Sequence, residues 1–230
     1  MKKTARFILI ALLAVVSSNL YAQLGVQLGY VYLPSNGNLT LGAPFGEFSG
    51  TTRNHGFQAG LTYEFTLRGE LGMQTGLLYT YSGGRVREFG REIAGIRGTQ
   101  YTSSVYQFLE LPLRVSYSLA VTHDFKFFFF GGPSFSYALQ GSSLSSRITG
   151  LDRQQRFPDR DVYQDFADYL SPFELRAGLG LGVHFQNYRV KFGYDMGILN
   201  IYNGEPRNNA QNDRFRLRRN QFSFSIGYVF

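Results

Sequence analysis

The sequence predicts an all-β chain: an eight-stranded antiparallel up-and-down transmembrane β-barrel with short periplasmic turns and long extracellular loops. Three observations predict it. Apolar residues alternate with polar or small ones at a period of two in eight segments. The connections between those segments alternate long and short. Beyond residue 22 the chain has only two lysines, Lys126 and Lys191, where a soluble exterior would carry many charges of both signs.

The N-terminus comes first. Lys2, Lys3 and Arg6 precede an apolar run from Phe7 to Val16 and a polar exit from Ser17 to Ala22. That order reads as a secretory signal peptide over residues 1–22, leaving a barrel over 23–230. The run is about ten residues long, half of the roughly twenty that a spanning helix needs. Cleavage after Ala22 removes three positive charges and no acid, so the formal charge falls from +7 to +4. The basic pI therefore overstates the processed chain, and no nucleic-acid partner is expected.

The strands follow in order. Leu24, Val26, Leu28, Tyr30 and Tyr32 share one face of the first. In the second, Phe57, Ala59, Leu61, Tyr63 and Phe65 oppose Gln58, Gly60, Thr62 and Glu64. Leu71 to Tyr81 repeats the pattern, as does the fourth strand, where Leu109, Leu111, Leu113, Val115 and Tyr117 oppose Phe108, Glu110, Pro112, Arg114 and Ser116. The fifth runs from Phe125 to about Leu139. The sixth sets Leu175, Leu179, Leu181 and Val183 against Glu174, Arg176, Gly178, Gly180, Gly182 and His184. The seventh sets Val190, Phe192, Tyr194 and Met196 against Arg189, Lys191, Gly193 and Asp195, and the eighth covers Gln221 to Phe230. An even number of staves allows closure, and closure leaves no unpaired edge in lipid.

Residues 33–55, 83–104, 140–171 and 200–219 read as the long connections. Arg68-Gly69, Thr122-His123-Asp124 and Gln186-Asn187 read as the tight ones. Outer-membrane barrels keep their long loops outside, which puts both termini in the periplasm. A soluble ligand-binding barrel has the same period with its apolar face inward. The apolar face here carries no charge and has Tyr or Phe toward the strand ends, as an interfacial girdle would. The sequence thus expects that face to meet lipid.

The polar face is then luminal. It holds Glu64, Glu70, Glu110, Glu174 and Asp195 against Arg114, Lys126, Arg176, Arg189 and Lys191. Five against five predicts a network of cross-barrel ion pairs filling a lumen that eight strands leave just wide enough for side chains. A conducting path for ions or small solutes is the alternative.

Catalysis on lipid or peptide at the outer rim needs a His beside a Ser or acid. Of three histidines, only His55 is near that rim, and Glu47 is the nearest acid in its loop. The expectation is no enzyme and no catalytic residue, with a lipid-modifying enzyme as the remote alternative. The absence of Cys removes thiolate metal sites and Cys nucleophiles. No phosphate-binding loop, dinucleotide fingerprint or zinc spacing appears, so no cofactor or metal is expected. Asp152, Asp159, Asp161, Asp165 and Asp168 crowd the third outer loop without the spacing of a calcium loop. Arg207, Arg214, Arg216, Arg218 and Arg219 crowd the fourth. Guanidinium forks suit phosphates, so these arginines are candidates for lipopolysaccharide contact, with a charged loop or strand extension as the alternative. The terminal Phe222-x-Phe224-x-Ile226-x-Tyr228-x-Phe230 array is similar to the assembly signal of outer-membrane barrels and implies contact with the barrel-assembly machinery.

Residues 108–117, Phe-Leu-Glu-Leu-Pro-Leu-Arg-Val-Ser-Tyr, resemble the fourth-strand motif of the PorT-type small outer-membrane barrels. Phe129-Phe-Gly-Gly-Pro-Ser-Phe135 is similar to that family's next strand, and 194–200 fits its closing pattern. The resemblance implies a bacterial outer-membrane barrel, structural or interacting rather than enzymatic, and an accessory of type IX protein secretion or surface assembly. It implies no functional residues.

Overall fold

The computed structural model describes residues 22–40, 47–89, 99–149, 153–156, 160–161, 171–202 and 214–230. The expected signal segment lies outside them except for Ala22, the first residue of β1. The strands are β1 (Ala22–Thr40), β2 (Glu47–Arg68), β3 (Leu71–Phe89), β4 (Thr99–Ala120) and β5 (Phe125–Thr149). Two short pieces follow, β6 (Arg153–Arg156) and β7 (Arg160–Asp161), then β8 (Phe173–Phe185), β9 (Tyr188–Gly197), β10 (Arg214–Arg219) and β11 (Gln221–Val229).

The strands pair antiparallel in the order β1-β2-β3-β4-β5-β8-β9-β11, β6 and β7 add to β5, and β11 pairs back onto β1. The sheet therefore closes on itself. β10 and β11 act as one stave interrupted at Asn220, which makes eight in all. Closure gives the spanning backbone ladder partners that lipid cannot supply, apart from a lapse between β4 and β5.

The tight turns lie together at one end, with Ala22 and Phe230, the first and last described residues. Gly69 takes the left-handed φ of +56° that the β2–β3 turn requires. The β4–β5 turn is fastened by Phe125 N–H donating to Thr122 Oγ1 at 3.1 Å. At the β8–β9 turn Asn187 Nδ2 donates to the Val229 carbonyl at 2.8 Å, and Val229 N–H donates back to Asn187 O at 2.9 Å. The last strand is thereby tied to its neighbour's turn.

The period-two pattern sorts side chains as the sequence predicts. Leu28, Phe57, Leu61, Leu77, Leu111, Phe129, Leu179, Phe192 and Ile226 all face outward and are exposed, Leu179 by 69%. Aromatic pairs border this belt at both ends. Tyr188–Tyr228 and Tyr228–Phe230, each with centroids 5.3 Å apart, lie at the short-turn end. Tyr194–Phe222 at 4.6 Å and Tyr32–Phe222 at 6.1 Å lie at the other. Amphipathic rings at two levels fit the two interfaces of a bilayer.

The long connections are shorter than the sequence suggests. β1 runs on to Thr40 and β2 starts at Glu47, so strand covers most of 33–55. β3 and β4 likewise cover most of 83–104, and β5 reaches Thr149 rather than stopping near Leu139. The physical reason is solvent on both faces. Beyond the lipid belt neither face needs to be apolar, so the alternation fades while the backbone ladder continues. β8 and β9 have 13 and 10 residues against 25 in β5. At about 3.4 Å per residue, β9 spans roughly the apolar belt and β5 more than twice that. The wall is therefore tall on the β1–β5 side.

Candidate functional site

The lumen is the site the sequence singles out, and it is filled in layers. Nearest the long-loop end is an apolar cluster of Val31, Leu33, Phe108 and Ala138, with Tyr106 packed on it. These residues share the inward parity of β1, β4 and β5, so they form a core inside the barrel. Arginines pack with them. Arg219 is 5% exposed, and its guanidinium carbon lies 4.7 Å from the ring centres of both Tyr106 and Phe108. It pairs with Glu174 and donates through Nε to Ser35 Oγ at 3.2 Å.

Arg176, 1% exposed, pairs with Glu110 at 2.9 Å and also donates to Gln221 and Ser136. Glu110 is the hub of this layer. It also accepts from Gln58 at 2.8 Å, from Thr80 at 3.0 Å and from Gln221 at 3.4 Å. A carboxylate with that many donors, a guanidinium among them, is compensated for its burial.

Arg114 pairs with Asp195 across the barrel and donates to the Gly132 carbonyl. Ladder pairing between β4 and β5 lapses just there, between the Pro112–Ser134 and Val115–Gly131 pairs. The arginine thus serves a carbonyl that the ladder leaves unpaired.

The glycines of β8 explain how rings fit inside. A Cβ on Gly180 would collide with the Phe130 ring, and one on Gly178 with Asp195. Phe130 and Phe128 therefore occupy the space that larger residues on β8 would take. A cavity of about 40 Å³ remains at mid-height, lined by Gln27, Gln58, Gln74, Arg114, Lys191 and Ser225 among others.

Toward the short turns the lumen widens to about 180 Å³. Arg189 pairs with Glu64, whose other partner is Gln74 Nε2 at 2.6 Å. Gln74 in turn accepts from Lys191 Nζ at 3.2 Å. Lys126 and its ladder partner His184 line this vestibule with Glu70.

Of the ten charged residues expected in the lumen, Glu110, Arg114, Glu174, Arg176, Lys191 and Asp195 are buried, Glu64, Lys126 and Arg189 line its short-turn half, and Glu70 is exposed at its mouth. Glu110, Arg114, Glu174, Arg176 and Asp195 meet in ion pairs, and Glu64 pairs with Arg189. Lys191 reaches Glu64 only through Gln74, and Lys126 lies in the vestibule. Arg219 belongs to the same network, which corrects its expected place at the outer rim. The run of arginines reads as a loop, yet Arg219 shares parity with Gln221, Ser225 and Val229, and that parity is the signal for an inward side chain. Arg216 and Arg218 are exposed on β10, Arg214 is described as a backbone position only, and Arg207 lies outside the described residues. The acidic connection of 152–168 falls outside the described side chains. His55 is exposed at the outer aromatic level, its Nδ1 bonded to the Tyr30 hydroxyl and its ring 4.9 Å from Tyr32. Among the described residues, no cluster of His, Cys, Asp or Glu has the geometry to hold a metal ion.

Comparisons with solved structures return small outer-membrane barrels. OprG from Pseudomonas aeruginosa is 12% identical with a TM-score of 0.41, covering 91% of this chain and 96% of that one. Neisserial surface protein A is 12% identical with a TM-score of 0.37, covering 91% and 99%. Ail, the attachment invasion locus protein of Yersinia pestis, is 13% identical with a TM-score of 0.33, covering 91% and 99%. No curated relative matches. The model of the outer membrane protein beta-barrel domain matches residues 17–203, most of the chain. With eight closed staves, an apolar exterior and a polar interior, the chain belongs to that outer-membrane β-barrel family.

Proposed function

We propose that this protein is a plugged, non-enzymatic outer-membrane barrel that acts through contacts made at its long-loop end, as an accessory of surface assembly or type IX secretion. The observation that carries the reading is the stack inside the barrel. Val31, Leu33 and Phe108 fill the lumen together with the Arg219–Glu174 and Arg176–Glu110 pairs, and the mid-height cavity is only about 40 Å³. That volume has room for a few waters but not for a hydrated solute, which supports the plugged reading. The tall wall of β1 to β5 supports a role outside the lipid belt. His55 bonded to the Tyr30 hydroxyl, with no acid at its ring among the described residues, supports a structural over a catalytic role.

In this reading the long-loop end faces outward and both termini are periplasmic. Arg216 and Arg218, exposed on β10, are placed to meet lipopolysaccharide phosphates. Reconstitution in a planar bilayer is expected to give no steady single-channel steps, and regular steps would overturn the plugged reading. Affinity purification in mild detergent is expected to recover secretion or envelope partners. Repeated recovery of the barrel alone would overturn the accessory role.

A further inference from the structure

One buried cation in the lumen has no carboxylate of its own. Lys191 is 9% exposed, and its sole hydrogen-bond partner among the described residues is Gln74 Oε1 at 3.2 Å. The four carboxylates buried with it are each engaged by an arginine: Glu64 by Arg189, Glu110 by Arg176, Glu174 by Arg219 and Asp195 by Arg114. Five cations against four carboxylates leave one positive charge in this part of the lumen. Lys191's ladder partners are Gly182 on β8 and Ser225 on β11, and neither supplies a negative charge.

An ammonium carries three N–H donors, and one is met here. Leaving a buried ion without a counter-charge is costly. The mid-height cavity lies against it. At about 40 Å³ it exceeds the roughly 10–15 Å³ that one water needs. Its lining offers neutral donors: the second N–H of the Gln27, Gln74 and Gln221 amides and the hydroxyls of Thr62, Ser223 and Ser225, while both N–H groups of Gln58 are engaged by Thr80 and Glu110. Glu110 and Asp195 also line it, but their charge is offset by Arg176 and Arg114. A cation placed there would face Lys191 and Arg114, whereas a small anion completes the charge count and accepts the free N–H groups.

We propose that the mid-height cavity is a binding site for one small monovalent anion of the halide class, with Lys191 as its charge partner. Amide and hydroxyl donors on β1, β2, β3 and β11 complete the shell. The site is structural: among the described residues it neutralises the one buried luminal cation that no carboxylate reaches directly.

Bromide is the probe, because it scatters anomalously. Crystals of the detergent-solubilised protein grown in sodium bromide are expected to show an anomalous peak in contact with Lys191 Nζ. Density there without anomalous signal, as water gives, would overturn the proposal. Thermal unfolding at constant ionic strength supplies a second readout. The midpoint of the wild-type barrel is expected to rise when bulky gluconate is exchanged for chloride or bromide, and that of Lys191→Met to stay level. An equal halide response in the two proteins would overturn the proposal. If Lys191→Met does not fold, the bromide peak in the wild-type protein decides alone.

Discussion

The two halves of the lumen handle buried charge differently. In the long-loop half, each carboxylate meets an arginine directly, and rings close over the pair. Arg219 lies against Tyr106 and Phe108 while holding Glu174, and Arg176 is 1% exposed beside Glu110. In the short-turn half, Glu64 joins Arg189 at the edge of a cavity of about 180 Å³, and Lys191 reaches that pair only through the Gln74 amide. Direct pairs under an aromatic lid seal a tube. Relayed pairs beside a vestibule let water share the work of solvation. Glutamate and arginine therefore give a plug at one end and a wet mouth at the other.

Glu110→Ala should break the sealed half hardest. It strands Arg176, which is 1% exposed, without its carboxylate, at an expected loss of about 3–5 kcal/mol. Urea unfolding from lipid vesicles, followed by the folded barrel's faster gel mobility, measures it. The paired replacement Glu110→Leu with Arg176→Met should recover most of that loss, because no lone charge is left behind. If the pair of substitutions is as damaging as the single one, the cost lies in packing and not in charge.

Gly180 lies between the two halves. Its Cβ would collide with the Phe130 ring and with the Phe192 carbonyl. Gly180→Ala should therefore cost about 1–3 kcal/mol as an overpacked site. Phe130→Leu in the same chain should return only part of it, since the carbonyl cannot move aside as a ring can. Full recovery would show that the ring alone sets the space.

The sheet and its faces were legible in the sequence because lipid imposes one rule on every residue of the belt. A stave such as Leu109 to Tyr117 has to alternate, and the alternation reports which side each residue takes. The extensions of β1 to β5 escaped the same reading because neither of their faces has to be apolar. The charged network was visible as a set of inward residues, but its wiring was not. Parity places Glu110 inside without choosing Arg176 from β8 over Arg114 four positions along its own strand. Partner choice depends on barrel shear and on which residues leave room, as Gly178 does for Asp195. The role of Gln74 as a link between Lys191 and Glu64 has no signature in one strand's pattern at all.

Glu64→Gln tests the wet half. Its pair with Arg189 lies at the vestibule, where water replaces a lost partner, so the expected cost is about 0.5–1.5 kcal/mol. A loss as large as that of Glu110→Ala would erase the distinction between the halves, and the vestibule would have to be as dry as the plug.

The smallest expected effect comes from Arg218→Ala. Arg218 and Arg219 are consecutive on β10, opposite Asn36 and Ser35 of β1. One is exposed and the other is 5% exposed, because neighbouring residues of a strand point to opposite faces. Removing Arg218 should change stability by no more than about 0.5 kcal/mol, as at most exposed sites. Removing Arg219 leaves Glu174 buried without its cation and should cost about 3–5 kcal/mol. The same unfolding assay run on both variants compares two arginines one residue apart, with the same side chain lost and the same strand. Their difference isolates what burial and pairing contribute. If the two losses come out alike, β10 is not held in the register that puts Arg219 opposite Ser35, and the aromatic lid over Glu174 must be built from other residues.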